Sequence, residues 1–133
     1  MAYSILIVDD NAAMRRSIRS CIEQSDEWRI CGEAEDGKIA IQKVLELQPD
    51  VALLDLQMPV MNGLEAARQI ALLAPDTAMV MFTMHSTEQL VKDARAVGIK
   101  AVLSKLDPVG EHFLISLRNA CTRPPNPGTK VAI

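Results

Sequence analysis

The chain has 133 residues, 49% of them apolar, which suits one globular domain with a proper core and excludes a disordered chain. A formal charge of -3 gives it no general attraction for nucleic acid or for an anionic membrane. No apolar stretch approaches membrane-spanning length and Ser4–Val8 is too short for a signal segment, so a soluble cytoplasmic protein is expected.

The elements follow in order. Ile5 to Val8 is a continuous apolar run that ends in Asp9-Asp10. Asn11, a good helix cap, then precedes Met14, Ile18, Cys21 and Ile22 at helical spacing. Trp28 to Cys31 alternates, as an edge strand does, and Trp28 is expected to cover the sheet edge. Asp36-Gly37 opens a helix carrying Ile41, Val44 and Leu45. Val51 to Leu54 is a second continuous run and ends in Asp55. Leu64, Ala67, Ile70 and Ala71 form the next stripe, and Met79 to Phe82 the next strand, ending at Thr83. Ser86-x-x-Gln89 reads as a capping box ahead of Leu90, Ala94 and Val97, closed by Gly98. Ala101 to Leu103 is the fifth strand, with Lys105 just beyond it. Asp107-Pro108 reads as a cap and first helical residue before Phe113, Leu114, Leu117 and Cys121. From Thr122 the proline-rich segment Arg123-Pro124-Pro125-Asn126-Pro127-Gly128 reads as a non-helical tail or the start of a linker. Cys21, Cys31 and Cys121 form no CxxC pair and are expected to be reduced thiols that pack as small apolar residues. Met79, Met81 and Met84 are read as packing, and His112 as exposed.

Five strand–helix repeats predict an α/β fold, a doubly wound, five-stranded parallel sheet covered on both faces. In such sheets ligands sit beyond the carboxyl ends of the strands. In the flavodoxin-like order 2-1-3-4-5 the first and third strands are neighbours, and Asp9, Asp10 and Asp55 converge. Singly, each polar strand-end residue is most often a cap, a turn former or a solvated charge. Their joint placement is informative. Three crowded carboxylates need a cation, and Mg²⁺ takes one or two carboxylates, keeps waters and accepts phosphate. With Lys105 as a fixed positive charge and Thr83 as a hydroxyl donor, the set describes phosphoryl transfer to a carboxylate.

Ile7-Val8-Asp9-Asp10, the segment Leu54-Asp55-Leu56-Gln57-Met58-Pro59-Val60-Met61-Asn62-Gly63, Phe82-Thr83 and Lys105 resemble the receiver domain of two-component response regulators over residues 4 to 121. Cys31 to Gly37 and Lys105-Leu106-Asp107 resemble receivers of the NarL/LuxR type, usually joined to a helix-turn-helix output domain. The resemblance implies that Asp55 is the nucleophile and phosphoacceptor. It implies that Asp10, Asp55 and the main-chain carbonyl of Gln57 hold Mg²⁺, with Asp9 acting through water. Lys105 would pair with Asp55 or a phosphoryl oxygen, Thr83 would move toward the phosphoryl group, and Pro59 and Gly63 would shape the loop. Gln57 and His85 would flank the path of a hydrolytic water.

The implied donor is a histidine kinase or phosphotransfer protein. The implied output is a downstream protein, docking on the fourth helix, fifth strand and fifth helix or through a homodimer, with no DNA binding by this chain. Residues 1–121 would be the receiver and 122–133 the tail, either as a stand-alone receiver or as the receiver of a longer DNA-binding regulator. The sequence departs from the family at Val102, where an aromatic is common, and at Leu106, where proline is common. An aspartate-nucleophile phosphatase is the competing class, but Gln57 stands where its second acid would be and the chain leaves no room for a cap domain. A flavin carrier fits less well, because the loop after the first strand is acidic.

Overall fold

In a computed structural model covering residues 2–132, the predicted order of elements is realised. The strands are β1 (Tyr3–Val8), β2 (Trp28–Ala34), β3 (Val51–Leu54), β4 (Ala78–Thr83) and β5 (Ala101–Ser104). The helices are α1 (Ala12–Glu23), α2 (Gly37–Leu47), α3 (Gly63–Leu73), α4 (Glu88–Ala96) and α5 (Glu111–Ala120). All pairings are parallel and the sheet order is β2-β1-β3-β4-β5, with β2 at one edge as its alternation implied.

Successive residues of a strand point to opposite faces, and here both faces are covered. Leu6, Val8, Ala52, Leu54, Met79 and Met81 pack on α2, α3 and α4 through Val44, Ala67, Ile70 and Ala94. Ile5, Ile7, Val51, Leu53, Val80 and Phe82 pack on α1 and α5 through Ile18, Ile22, Phe113 and Leu117. That double burial is why β1, β3 and β4 read as unbroken apolar runs. Trp28 does lie at the edge strand, but it is a buried member of the second core, tilted against Tyr3 at 5.7 Å between ring centroids.

The register of β1 on β2 slips between Ile5 and Leu6, so Cys31 is passed over. Its carbonyl accepts the Ala132 N–H at 2.7 Å, one of several bonds that lay the tail back on the domain. The Thr129 hydroxyl donates to the Gln48 carbonyl at 2.7 Å, Lys130 N–H to the Leu47 carbonyl at 3.0 Å, and Asn126 N–H to Asp50 Oδ1 at 2.9 Å. The tail thereby supplies donors for carbonyls at the end of α2 that no intrahelical bond can satisfy.

Two helix starts differ from the sequence expectation. Thr87, not Ser86, caps α4, its hydroxyl accepting from the Leu90 N–H at 3.0 Å. Both residues carry the right oxygen; starting one residue later puts Leu90 into the core. α5 begins at Glu111 behind an uncapped Gly110, not at Asp107-Pro108. After β5 the chain turns, with the Leu106 N–H on the Ser104 hydroxyl and the Asp107 N–H on the Ser104 carbonyl, and this turn uses the residues that looked like a helix start. Met84 is also exposed rather than packed. The caps at Asn11 and Asp36 are as expected, and Asn62 caps α3.

Candidate phosphoryl-acceptor site

β1 and β3 run side by side in register, Val8 opposite Leu54, so the next residue of each strand leaves the sheet at the same place. The Asp55 N–H still bonds the Val8 carbonyl at 2.9 Å, which holds Asp55 against Asp9. Carboxylate oxygens of Asp9, Asp10 and Asp55 all lie within 4.8 Å of one another. Asp9 and Asp55 are buried, and Asp10 is exposed at the rim.

Lys105 enters from β5. Its N–H bonds the Thr83 carbonyl at 2.9 Å, and its side chain, 6% exposed, reaches under the acids. Nζ lies 2.6 Å from Asp9 Oδ2 and 3.2 Å from Asp55 Oδ2, so the ammonium bridges both and is nearer Asp9. Thr83 is buried at the end of β4, where, among the described residues, its hydroxyl accepts one long bond of 3.4 Å from the His85 N–H, leaving it free to donate elsewhere. Gln57 and His85 are both exposed on the loops flanking the cluster.

The loop after Asp55 is built by close approach. A Cβ on Gly63 would stand 2.0 Å from the Asp55 carbonyl oxygen, so only glycine lets α3 start directly against Asp55. Gly37 plays the same part at the start of α2, where a Cβ would meet the Met61 carbonyl at 2.5 Å. Val60 adopts φ 69°, a left-handed conformation costly for a β-branched residue, and its side chain is exposed.

Burial first, then the charge of Asp9, raises the Asp55 carboxyl to about pKa 6, and the Lys105 ammonium opposes that shift. Three carboxylates against one ammonium leave two uncompensated negative charges. Hard oxygen donors, that charge deficit and an open face at Asp10 fit a Mg²⁺ ion with part of its water shell retained. A groove of about 770 Å³ lies at the opposite ends of the strands, lined by Tyr3, Asp50, Ala78, Lys100 and the tail, and shares nothing with this cluster. Sequence reasoning did not single out Arg15, which reaches the Asp9 carbonyl from α1. Its only sequence signal is a cation near a helix start, where the helix dipole disfavours one.

A parallel sheet with acids and a lysine gathered at its carboxyl ends defines a class of domains that handle phosphoryl groups at a carboxylate. The profile of the response regulator receiver domain matches residues 5–114, and the chain belongs to that family, whose members receive the signal in two-component systems. The transcriptional regulatory protein YdfI of Bacillus subtilis (strain 168) is 41% identical over 101 residues, covering 76% of this chain and 47% of that protein. The chain thus spans about half the length of that relative. The response regulator domain of Thermotoga maritima CheB superposes with a TM-score of 0.85 at 28% identity, covering 94% of this chain and all of that one. The signal receiver domain of NarL from Mycobacterium tuberculosis gives 0.84 at 27% identity, covering 92% and 98%.

Proposed function

We propose that this receiver accepts a phosphoryl group on Asp55 and that Mg²⁺, Lys105 and Thr83 assist. The observation that carries the reading is the convergence of Asp9, Asp10 and Asp55 within 4.8 Å with the buried Lys105 ammonium between Asp9 and Asp55. An Asp55 carboxylate oxygen attacks the phosphorus of a phosphohistidine in a histidine kinase or phosphotransfer protein. The P–O bond forms as the P–N bond breaks, and the imidazole leaves with the electron pair. Asp10, Asp55 and the Gln57 carbonyl would hold Mg²⁺, with Asp9 acting through water; the bound ion supplies charge neutralisation for the phosphoryl oxygens. Lys105 neutralises a further oxygen, and the Thr83 hydroxyl donates a charge-assisted hydrogen bond to another, drawing the start of α4 with it.

The chain acts as a phosphoacceptor and not as a turnover enzyme: of the two acids beside Asp55, Asp9 is engaged by Lys105 and the Asn11 N–H, and Asp10 would serve the ion. Its output is a protein contact on α4, β5 and α5, or a homodimer, in the cytoplasm. No helix among the described residues is long and apolar enough to cross a membrane. The relative's description as a transcriptional regulatory protein, together with the partial coverage of its length, favours a second reading in which this receiver controls a DNA-binding output region. In that case too, a receiver with a formal charge of -3 leaves DNA contact to the other region.

A small acyl or amido phosphate donor with Mg²⁺ should add one phosphoryl group, seen by intact-protein mass spectrometry. The label should vanish with a chelator and in Asp55→Asn. Equal labelling of that variant, or labelling stable to both acid and base, would overturn the assignment, since acyl phosphates hydrolyse readily.

A further inference from the structure

Asp10 is the odd member of the acid cluster. Asp9 is held at every polar group: its N–H donates to the Ala34 carbonyl at 3.0 Å, Oδ1 accepts the Asn11 N–H at 2.8 Å, Oδ2 accepts Lys105 Nζ at 2.6 Å, and its carbonyl accepts Arg15 Nη1. Asp10 is exposed, and among the described residues its carboxylate has no hydrogen-bond or ion-pair partner. Its place depends on the peptide that joins it to Asp9. Like charges within 4.8 Å push it outward, toward solvent.

Arg15 is the side chain that fixes that peptide. It stands near the start of α1, in a first turn with no acidic residue, where the helix dipole disfavours a cation. What keeps it there is Glu33 of β2: Arg15 Nε donates to Glu33 Oε1 at 3.0 Å while Nη1 of the same rigid fork donates to the Asp9 carbonyl. Glu33 is in turn held by Arg19 Nη2 at 2.6 Å, and its backbone carbonyl by Lys43 Nζ at 2.5 Å. The Arg15 side chain is 18% exposed, against 39% for Arg19.

We infer that Arg15, anchored by Glu33, is a positioning residue that sets the Asp9–Asp10 peptide so that the unsupported Asp10 carboxylate stays in the metal-binding geometry. The inference rests on the Mg²⁺ reading above and goes beyond it. Mg²⁺ demands near-ideal geometry, so a small displacement of Asp10 costs affinity where a looser ion would tolerate it.

The test is calorimetric titration of Mg²⁺ into the unphosphorylated full chain, beside urea unfolding of each variant. Arg15→Met keeps the apolar stem and removes both hydrogen bonds, and should weaken Mg²⁺ about tenfold, the low end of what an outer-shell partner contributes to a metal site. Arg19→Ala removes ion pairs to the same Glu33 without touching Asp9, and should leave Mg²⁺ affinity within about twofold of wild type. The Asp10 and Asn11 amide resonances should move in Arg15→Met and stay in Arg19→Ala. Should Arg15→Met fail to fold, Arg15→Lys carries the test, since lysine reaches only one of the two acceptors; about threefold weaker binding is expected. Wild-type affinity in the Arg15 variant, or an equal loss in Arg19→Ala, overturns the positioning role. Absence of Mg²⁺ binding by wild type would instead sink the metal assignment itself.

Discussion

Asp55 keeps its proton to about pH 6 in the metal-free fold, because burial and Asp9 together outweigh Lys105. In the unfolded chain an aspartate titrates near 3.9. The folded state therefore binds more protons between those values, and metal-free stability falls as pH rises from about 4 to about 6. Ionised Asp55 then costs on the order of 2–3 kcal/mol at neutral pH. Asp55→Asn should remove that cost. It should unfold at higher urea than wild type at pH 7.5 without metal, and the difference should shrink as pH falls from about 6 to about 4. Mg²⁺ should stabilise wild type at pH 7.5 and the variant much less. A variant no more stable than wild type at pH 7.5 would show that Asp55 carries no such strain. At this scale the motif residues were legible, because each acid sits directly after an apolar run. The bridging of Lys105 to Asp9 as well as Asp55 was not, and neither was Arg15, because its partners Asp9 and Glu33 meet it only once α1 lies against β1 and β2.

At the scale of elements, strands read more reliably than helix starts. Double burial leaves β1, β3 and β4 as continuous apolar runs, whereas adjacent Ser86 and Thr87 offer the same capping chemistry and packing of Leu90 decides between them. The tail shows the same limit. Its prolines suggest a linker, yet Asn126, Thr129, Lys130 and Ala132 find acceptors on Asp50, Gln48, Leu47 and Cys31, groups that no local pattern associates with it. Truncation after Thr122 should therefore destabilise the domain, by about 2–4 kcal/mol at roughly 1 kcal/mol for each hydrogen bond lost. Thr129→Val should account for about 1 kcal/mol of that. Urea denaturation reads both. An unchanged midpoint on truncation would mean that the tail lies on the domain without holding it.

For the whole molecule, strand–helix alternation implied a parallel sheet covered on both faces, and the flavodoxin-like order β2-β1-β3-β4-β5 is what brings the acids together. What the fold adds is the route from the site to the surface. Thr83 ends β4 and pairs with Ser104 of β5, and residues 84–89 beyond it are all exposed before α4 settles on Leu90. Val102, partly buried against the α2–α4 core, is short and stiff at χ1 and cannot exchange between inward and outward states as a ring could. Switching is then expected to run through Thr83, the exposed loop and the first turn of α4, with a modest population shift. The direct test is an NMR shift map of the Mg²⁺-loaded protein with and without beryllofluoride, which mimics the phosphoryl group on Asp55. Shifts should spread from Asp9, Asp10, Asp55 and Thr83 through residues 84 to 90, with only local effects at Val102. No beryllofluoride-dependent shift at Asp55, or changes confined to the acid cluster, would contradict a phosphoryl-operated switch, and a large rearrangement centred on Val102 would contradict its route.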